Sequence, residues 1–353
     1  MNNRKTYLVC TFILFIYLYH LFMKKTFTND KKKLRIQQEE FEIWREIKTL
    51  NNDVELILNT FHNIHFWYFE NNYADRNGLY KIGTYTDRAG GEIGFIETMH
   101  AILKFRKRAE NDIVIDGGMN VGMFSLLAAS MNYHVHSYEV NEVCVEFANK
   151  LFQTNFIEKN IILMKAGLSE KREKVSIPIS NNCGGGTQIR QIKRSEQKID
   201  LLSLDDMYYN TQDNIVILKI DIEGEEFATL RGAKLLLSTK RIKHIFMEFQ
   251  PSVYGNDWVV LENGLNDILN HGYIIYQTFT WTRCNEFDGL QAIYPNPLGI
   301  DGPDPKKYDW KKRVHSGFNA GKLHKLIDVN AYLKSFETYN KPAGSNLWIT
   351  TAD

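Results

Sequence analysis

Two acidic residues end successive apolar runs, at a spacing suited to binding a nucleoside. Asp116 ends the run at 113–116, and Glu139 follows the run at 134–138, about twenty residues later. The first run is typical of a buried parallel strand. A carboxylate after the next strand can accept hydrogen bonds from both ribose hydroxyls. The loop after Asp116 supplies further candidate cofactor residues, namely Gly117, Gly118, Asn120 and Gly122.

The order of residues in this loop indicates which nucleoside cofactor binds. A dinucleotide fingerprint reads G-x-G-x-x-G, whereas this loop reads D-G-G-M-N-V-G. Asp116 would repel a pyrophosphate, but it suits the positively charged methionine part of S-adenosylmethionine, directly or through water. The glycines allow a sharp turn close to a ligand. An NAD-dependent oxidoreductase and an ordinary strand-turn-helix without a ligand remain alternatives.

A second cluster could do acid–base chemistry. Asp221 and Glu223 follow the apolar run at 215–220, and Glu248 lies near the end of another at 243–249. In open α/β sheets, ligands bind outside the carboxyl ends of the strands. The three carboxylates could therefore supply a general base, substrate hydrogen bonds or an oxygen-rich metal site. Glu223 is equally explained as acidity at a helix start.

The intervening chain alternates between strand and helix patterns, which predicts an α/β fold with a doubly wound, mostly parallel sheet. The interruption at 171–204 predicts a hairpin-like insertion, and 93–108 predicts an amphipathic helix before the core. The predicted strands are 113–116, 134–138, 161–165, 215–220, 243–249, 272–279 and a final one at 345–350. The predicted helices are 121–131, 142–154, 224–237 and 258–271.

The amino-terminal part predicts a membrane anchor. After a short tail at 1–5, residues 6–23 contain no charged residue and are just long enough to span a bilayer. No small-residue cleavage site follows, which favours an anchor over a signal peptide. The basic flank after residue 23 favours a cytosolic domain, against the alternative of a domain in the lumen of the ER or Golgi. Residues 24–61 predict a basic, helical stem that packs on its own domain or forms a homodimer.

The remaining residues, 62–353, are predicted to form the main domain. Its proline- and aromatic-rich segment at 280–344 predicts a lid-like insertion, with a structural elaboration as the alternative. A formal net charge of +1 gives no electrostatic case for a nucleic-acid partner. The four cysteines are far apart and form no C-x-x-C pair, so neither a zinc site nor a disulfide framework is expected.

Several motifs in this order resemble the FkbM family of S-adenosylmethionine-dependent methyltransferases, which have the class I Rossmann-like fold. The resemblance covers about residues 95–280 and rests on the 114–125 loop, Tyr138-Glu139, residues 149–155, residues 204–206 and residues 219–227. It implies O-methylation, often of sugar or polyketide hydroxyls. It also implies cofactor contacts for Asp116, Gly118, Asn120, Gly122 and Glu139, and a second motif of Asp221, Glu223, Gly224 and Glu226. Val140 departs from the family, which usually has proline there.

These observations together predict a membrane-anchored methyltransferase acting on a small-molecule or glycan hydroxyl. Asp221 is the expected base, and Glu223 and Glu248 are expected to position the substrate or a divalent ion, although no metal is predicted outright. The alternative is a non-catalytic, membrane-tethered nucleoside-binding protein. An amino-methyltransferase of nucleic acids would carry an Asn/Asp-Pro-Pro-aromatic tetrapeptide near 221, and this chain has none.

Overall fold

A nine-stranded sheet is the frame on which the other elements pack. The computed structural model describes residues 56–61, 64–69, 93–179, 183, 196–280, 287–293, 323–337 and 344–351. All of these residues belong to one unit of the chain, residues 53–353.

Half of the sheet is parallel and carries the predicted alternation. Its five strands are, in spatial order, β5 (Ile161–Met164), β4 (His134–Tyr138), β3 (Asp112–Gly117), β9 (Asn214–Ile220) and β10 (Ile242–Phe249). Six of the seven residues of β9 are buried, because a central strand is covered on both faces. The carboxyl ends of these strands therefore meet at one edge.

The other half of the sheet is antiparallel. The last strand, β14 (Ser345–Thr351), lies between β10 and β11 (Tyr273–Thr280) and runs opposite to both. Strands β13 (Leu323–Leu326) and β12 (Leu290–Ile293) continue the sheet in antiparallel pairs. The prediction of a doubly wound, mostly parallel sheet is thus confirmed for the core and wrong for this edge, where the last strand returns between two earlier strands and opposes both.

Helices cover both faces of the sheet. Phe246 of β10 meets Phe95 of the first helix edge to face, with ring centroids 5.1 Å apart. Its neighbours Ile245 and Met247 point the other way, into a core with Phe227. The helices are α1 (Ile93–Phe105), α2 (Met123–Ser130), α3 (Glu142–Thr154), α4 (Leu204–Tyr208), α5 (Glu226–Arg231), α6 (Lys234–Ser238), α7 (Trp258–Asn270) and α8 (Val329–Glu337).

The predicted helix at 224–237 is in fact two helices, α5 and α6, separated at Gly232. The Gly232 carbonyl accepts hydrogen bonds from Ser203 Oγ at 3.0 Å and from Asp205 N at 2.8 Å. The Asp205 carboxylate then accepts from the backbone N–H groups of Leu235 and Leu236 in the first turn of α6. This tertiary contact ends one helix and caps the next.

The predicted insertion at 171–204 contains a hairpin. Strands β7 (Glu173–Pro178) and β8 (Glu196–Leu202) pair antiparallel, and the short β6 (Gly167–Leu168) runs parallel to β8. Between β7 and β8 the structure describes residue 179 and Cys183.

The end of the predicted helical stem is a strand. β1 (Leu56–Phe61) pairs antiparallel with β2 (Ile64–Phe69), and Phe61 lies opposite Ile64. The apolar spacing of Ile57 and Phe61 misled the prediction, because positions i and i+4 share a face in a strand as well as in a helix. The rest of the stem, and with it the predicted homodimer contact, lies outside the described residues.

The described parts of the predicted lid-like segment at 280–344 form strands and a helix, while a lid role for the segment stays a prediction. β12 and β13 extend the sheet, and α8 covers it. Tyr332 of α8 is fully buried and bonds Gln277 Oε1 at 2.9 Å and Ser345 Oγ at 2.7 Å. Two four-residue strands are too short to leave a clear pattern in the sequence.

The predicted anchor at residues 6–23 lies outside the described residues. Within the ranges described, no helix is both long and apolar enough to cross a bilayer.

We expect Phe336→Ala to destabilise the domain by about 3–5 kcal/mol. Phe336 is 4% exposed, and its ring lies 4.7 Å from that of Phe287 and 5.5 Å from that of Phe249. Ile327→Ala is the control, since Ile327 is 60% exposed and surface changes stay within about 0.5 kcal/mol. Urea unfolding measures both. A loss no larger than the control's would show that α8 is peripheral.

Candidate active site

The loop after β3 is pressed between the ends of two neighbouring strands. Gly118 has a φ of +70°, and a Cβ there would lie 1.9 Å from the Asp221 carbonyl oxygen. The N–H groups of Gly118 and Met119 both donate to the Tyr138 carbonyl at 3.0 Å. Only glycine allows this approach of backbone to backbone. The predicted sharp turn is present, and its tightness comes from the protein itself.

Two further glycines make room for other parts of the protein. Gly122 precedes α2 with a φ of +84°, and a Cβ there would meet the Phe152 ring at 2.7 Å. A Cβ on Gly117 would lie 2.8 Å from Leu168 Cδ1. These predicted cofactor residues therefore have a packing role, and a direct cofactor contact for them stays a prediction.

Asp116 is fully buried beneath the loop. Its Oδ2 accepts from Ser125 N at 3.1 Å and from Ser125 Oγ at 2.6 Å, inside the first turn of α2. Its Oδ1 lies 3.5 Å from Lys219 Nζ. The carboxylate thus ties the strand to the helix and to a cation. A direct contact with the methionine part of the cofactor stays a prediction.

Glu139 lies at the carboxyl end of β4, as predicted, and is oriented by two backbone amides. Its Oε2 accepts from Asn120 N at 2.9 Å, and its Oε1 accepts from Asn141 N at 2.8 Å. Burial raises the pKa of Glu139, while the hydrogen bonds from Asn141 and Asn120 oppose that shift. The Val140 N–H also donates to this carboxylate. A carboxylate has about four acceptor sites, so Glu139 can still accept a hydrogen bond from a ribose hydroxyl.

Lys219 is the central charged residue, and sequence reasoning gave it no role. It is 2% exposed and lies one residue before the carboxyl end of β9. Its Nζ donates to the Gly118 carbonyl at 2.7 Å and lies 3.6 Å from Asp221 Oδ2, in addition to its contact with Asp116. The available signal was a lone lysine inside a buried apolar strand, which must have partners to remain charged.

Asp221 and Glu248 are brought together at the ends of β9 and β10. A side-chain hydrogen bond joins them. Burial and the nearby negative charge of Asp221 raise the pKa of Glu248 far above its usual range. This shift favours the protonated form of Glu248, which can donate a hydrogen bond to Asp221. The Asp221 side chain remains 30% exposed, which leaves it accessible to a substrate.

Glu226 shapes the loop between β9 and α5, and Glu223 belongs to that loop. Glu226 is buried and accepts from the N–H groups of Ile222 and Gly224 and from the Tyr254 hydroxyl. Burial raises the pKa of Glu226 to about 7. Glu223 has a φ of 56° and lines a cavity of about 500 Å³.

A disulfide joins Cys144 of α3 to Cys183, which corrects the expectation that the cysteines do not pair. Both residues are buried. Their sequence separation of 39 hid the pairing, because only the fold brings the insertion onto α3. The sulfur of Cys183 lies 3.3 Å from Asn120 Oδ1, beside the cofactor loop.

Comparison with known proteins identifies the family of this site. Residues 116–275 match the Methyltransferase FkbM domain. The chain carries a methyltransferase FkbM domain. It is therefore an S-adenosylmethionine-dependent methyltransferase, as the motifs predicted. No curated protein matches the chain.

Solved structures of methyltransferases resemble the chain only distantly. A SAM-dependent methyltransferase from Agrobacterium tumefaciens is 10% identical, with a TM-score of 0.39, over 85% of this chain and 71% of that one. Precorrin-6y C5,15-methyltransferase from Geobacter metallireducens is 9% identical, with a TM-score of 0.33, over 72% and 88%. The N-terminal domain of human METTL16 in complex with SAH is 14% identical, with a TM-score of 0.31, over 53% and 62%.

The carboxylates of the methyltransferase domain form no evident metal centre among the described residues. No group of three or more His, Cys, Asp or Glu side chains in the described ranges could hold a metal ion. Asp221 forms a hydrogen bond with Glu248 and an ion pair with Lys219.

We expect Glu139→Ala to weaken S-adenosylmethionine binding by about 1.5–3 kcal/mol, roughly ten- to a hundredfold in dissociation constant. The change removes an ionised acceptor for the ribose hydroxyls. Glu142→Ala is the matched control, because Glu142 lies three residues away, is 58% exposed and pairs with Lys165. Calorimetry measures both affinities. Equal affinities of the two variants would remove Glu139 from the binding site.

Proposed function

We propose that this methyltransferase is membrane-anchored and transfers the methyl group to a hydroxyl oxygen of a small molecule or glycan. The observation that carries the proposal is the position of Asp221, a partly exposed carboxylate at the carboxyl end of β9. It lies 3.6 Å from Lys219 Nζ and forms a side-chain hydrogen bond with Glu248. An oxygen acceptor must lose a proton during transfer, and this carboxylate is placed to receive it.

In the proposed reaction, each bond formed or broken and the proton released are accounted for by the cofactor, the acceptor and Asp221. S-adenosylmethionine supplies a methyl group bonded to a positively charged sulfur. The acceptor oxygen forms the new C–O bond as the C–S bond breaks, and its proton passes to Asp221. The protein's further contribution is to hold the acceptor in line with the methyl group.

Asp221 is a better candidate for the base than Glu248. Burial and the charge of Asp221 raise the pKa of Glu248 and favour its protonated form, which is a poor base. The Lys219 ammonium at 3.6 Å stabilises negative charge on Asp221. Glu248 then orients Asp221 through their hydrogen bond, and the Asp221 side chain, 30% exposed, remains accessible to the acceptor.

Glu223 is the proposed acceptor-positioning residue. It lines the cavity of about 500 Å³ together with Phe227, Tyr254 and Val260, and this volume suits a small ligand. A sugar ring can pack on aromatic walls, and carboxylates accept hydrogen bonds from its hydroxyls. These properties support a polyhydroxylated acceptor.

We expect Asp221→Asn to lower methyl transfer by about a hundred- to ten-thousandfold while S-adenosylmethionine affinity stays near the wild-type value. The amide keeps the volume but cannot accept the proton. Asp206→Asn, at an exposed position on α4, is the control and should keep full activity. The assay follows labelled methyl transfer to methyl glycosides and to a glycan extract.

Three outcomes would contradict this role for Asp221. Near-full turnover of Asp221→Asn would move the base elsewhere, with Glu248 next to test. Joint loss of folding and cofactor binding would make Asp221 structural. Activity that requires added magnesium and vanishes with a chelator would make these carboxylates metal ligands.

Residues 6–23 are the proposed anchor, and the lumen of the secretory pathway is the proposed location of the catalytic domain. The basic flank after residue 23 favours the cytosol. The buried Cys144–Cys183 disulfide favours the lumenal alternative, because disulfides persist in oxidising compartments.

We expect full-length protein to stay in the membrane fraction after alkaline carbonate extraction, because the uncharged span is buried in lipid. In sealed vesicles, a tag at the carboxyl terminus should resist added protease until detergent is added. Soluble full-length protein would refute the anchor. Digestion of the tag in intact vesicles would place the domain in the cytosol.

A further inference from the structure

The Cys144–Cys183 disulfide lies against the cofactor loop. Asn120 Oδ1 is 3.3 Å from Cys183 Sγ and 3.9 Å from Cys144 Sγ. Disulfide sulfurs carry no proton, so these contacts are packing contacts. Both cysteines are at most 2% exposed, so the disulfide lies in the protein interior, and the partly buried Asn120 packs against it.

Asn120 connects this packing to the predicted nucleoside-binding carboxylate. Its φ of 54° is in the left-handed region, which costs energy for any residue other than glycine. In that conformation its N–H donates to Glu139 Oε2 at 2.9 Å. The disulfide thus packs against the side chain of Asn120, while the backbone N–H of the same residue donates to Glu139.

The disulfide also joins two segments that meet at this loop. Cys144 lies in the first turn of α3, five residues after Glu139, and Cys183 lies between β7 and β8. The bond closes a separation of 39 residues. It therefore holds the inserted segment at Cys183 to the helix that directly follows Glu139.

We propose that the Cys144–Cys183 disulfide positions the cofactor site by supporting Asn120, whose backbone N–H orients Glu139 toward the nucleoside. The cysteines act through Asn120 and do not touch the reacting atoms. The proposal rests on the proposed role of Glu139.

The disulfide forms by a balanced exchange with an external disulfide. The Cys144 and Cys183 thiols lose two protons and two electrons, and a glutathione or protein disulfide gains them and becomes two thiols. Once formed, the buried sulfurs are shielded from attacking thiolates. Full cofactor affinity would thus be acquired during folding in an oxidising environment.

The test compares cofactor affinity and thermal stability in the full-length protein and in Cys144→Ala/Cys183→Ala. Calorimetry with S-adenosylmethionine should show the dissociation constant of the variant raised about tenfold, equal to about 1.4 kcal/mol. With saturating S-adenosylmethionine, kcat should change less than KM for the cofactor. A disulfide that only stabilised the fold would lower Tm and leave the dissociation constant unchanged, which would overturn the proposal.

Asn120→Gly provides a second variant that retains the disulfide. Glycine adopts the left-handed conformation but offers no side chain for the sulfurs to support. We expect it to weaken binding by a similar factor, and the cysteine changes should add no further loss in that background. Independent, additive losses would overturn the coupling through Asn120, as would free thiols at both cysteines in the purified native protein. Glu139→Ala separately tests the underlying role of Glu139.

Discussion

The site depends on the contacts that the buried ammonium of Lys219 makes. The ammonium lies among Asp116, Asp221 and the Gly118 carbonyl, with almost no access to water. Charges at these distances interact strongly away from solvent, but each also carries a desolvation penalty that its partners must offset. Removing one partner would leave another charge buried and unpaired. The contacts of Lys219 therefore depend on one another.

This cation connects the two halves of the active site. Asp116 ends β3 and supports the first turn of α2 through Ser125, while Asp221 follows β9 and meets Glu248. Because Lys219 also bonds the Gly118 carbonyl, the cofactor loop and the proposed base are oriented by the same side chain. The close approach of Gly118 to the Asp221 carbonyl has the same effect on the backbone.

Local patterns predicted the parts of the molecule whose structure is locally determined. The strand at 134–138 and the helix at 142–154 have the predicted bounds, because each combines a clear apolar period with its own cap or turn residues. Glu139, Asp221 and Glu248 lie at strand ends as predicted. The sequence could not show that Asp116 and Lys219 pair, because their contact depends on the alignment of β3 with β9, 103 residues apart. The Cys144–Cys183 pair, α8 and the β1 strand depend on similarly distant or ambiguous partners.

The charges of this cluster also suit the proposed reaction. The proposed mechanism has Asp116 and Asp221 ionised beside the Lys219 ammonium and Glu248 neutral, so these four side chains would sum to one negative charge. The sulfonium of S-adenosylmethionine brings one positive charge to this edge. Methyl transfer removes the charge on sulfur while the acceptor proton neutralises Asp221, so two opposite charges disappear together. A site with little water favours that change, because the neutral products need less solvation than the charged reactants.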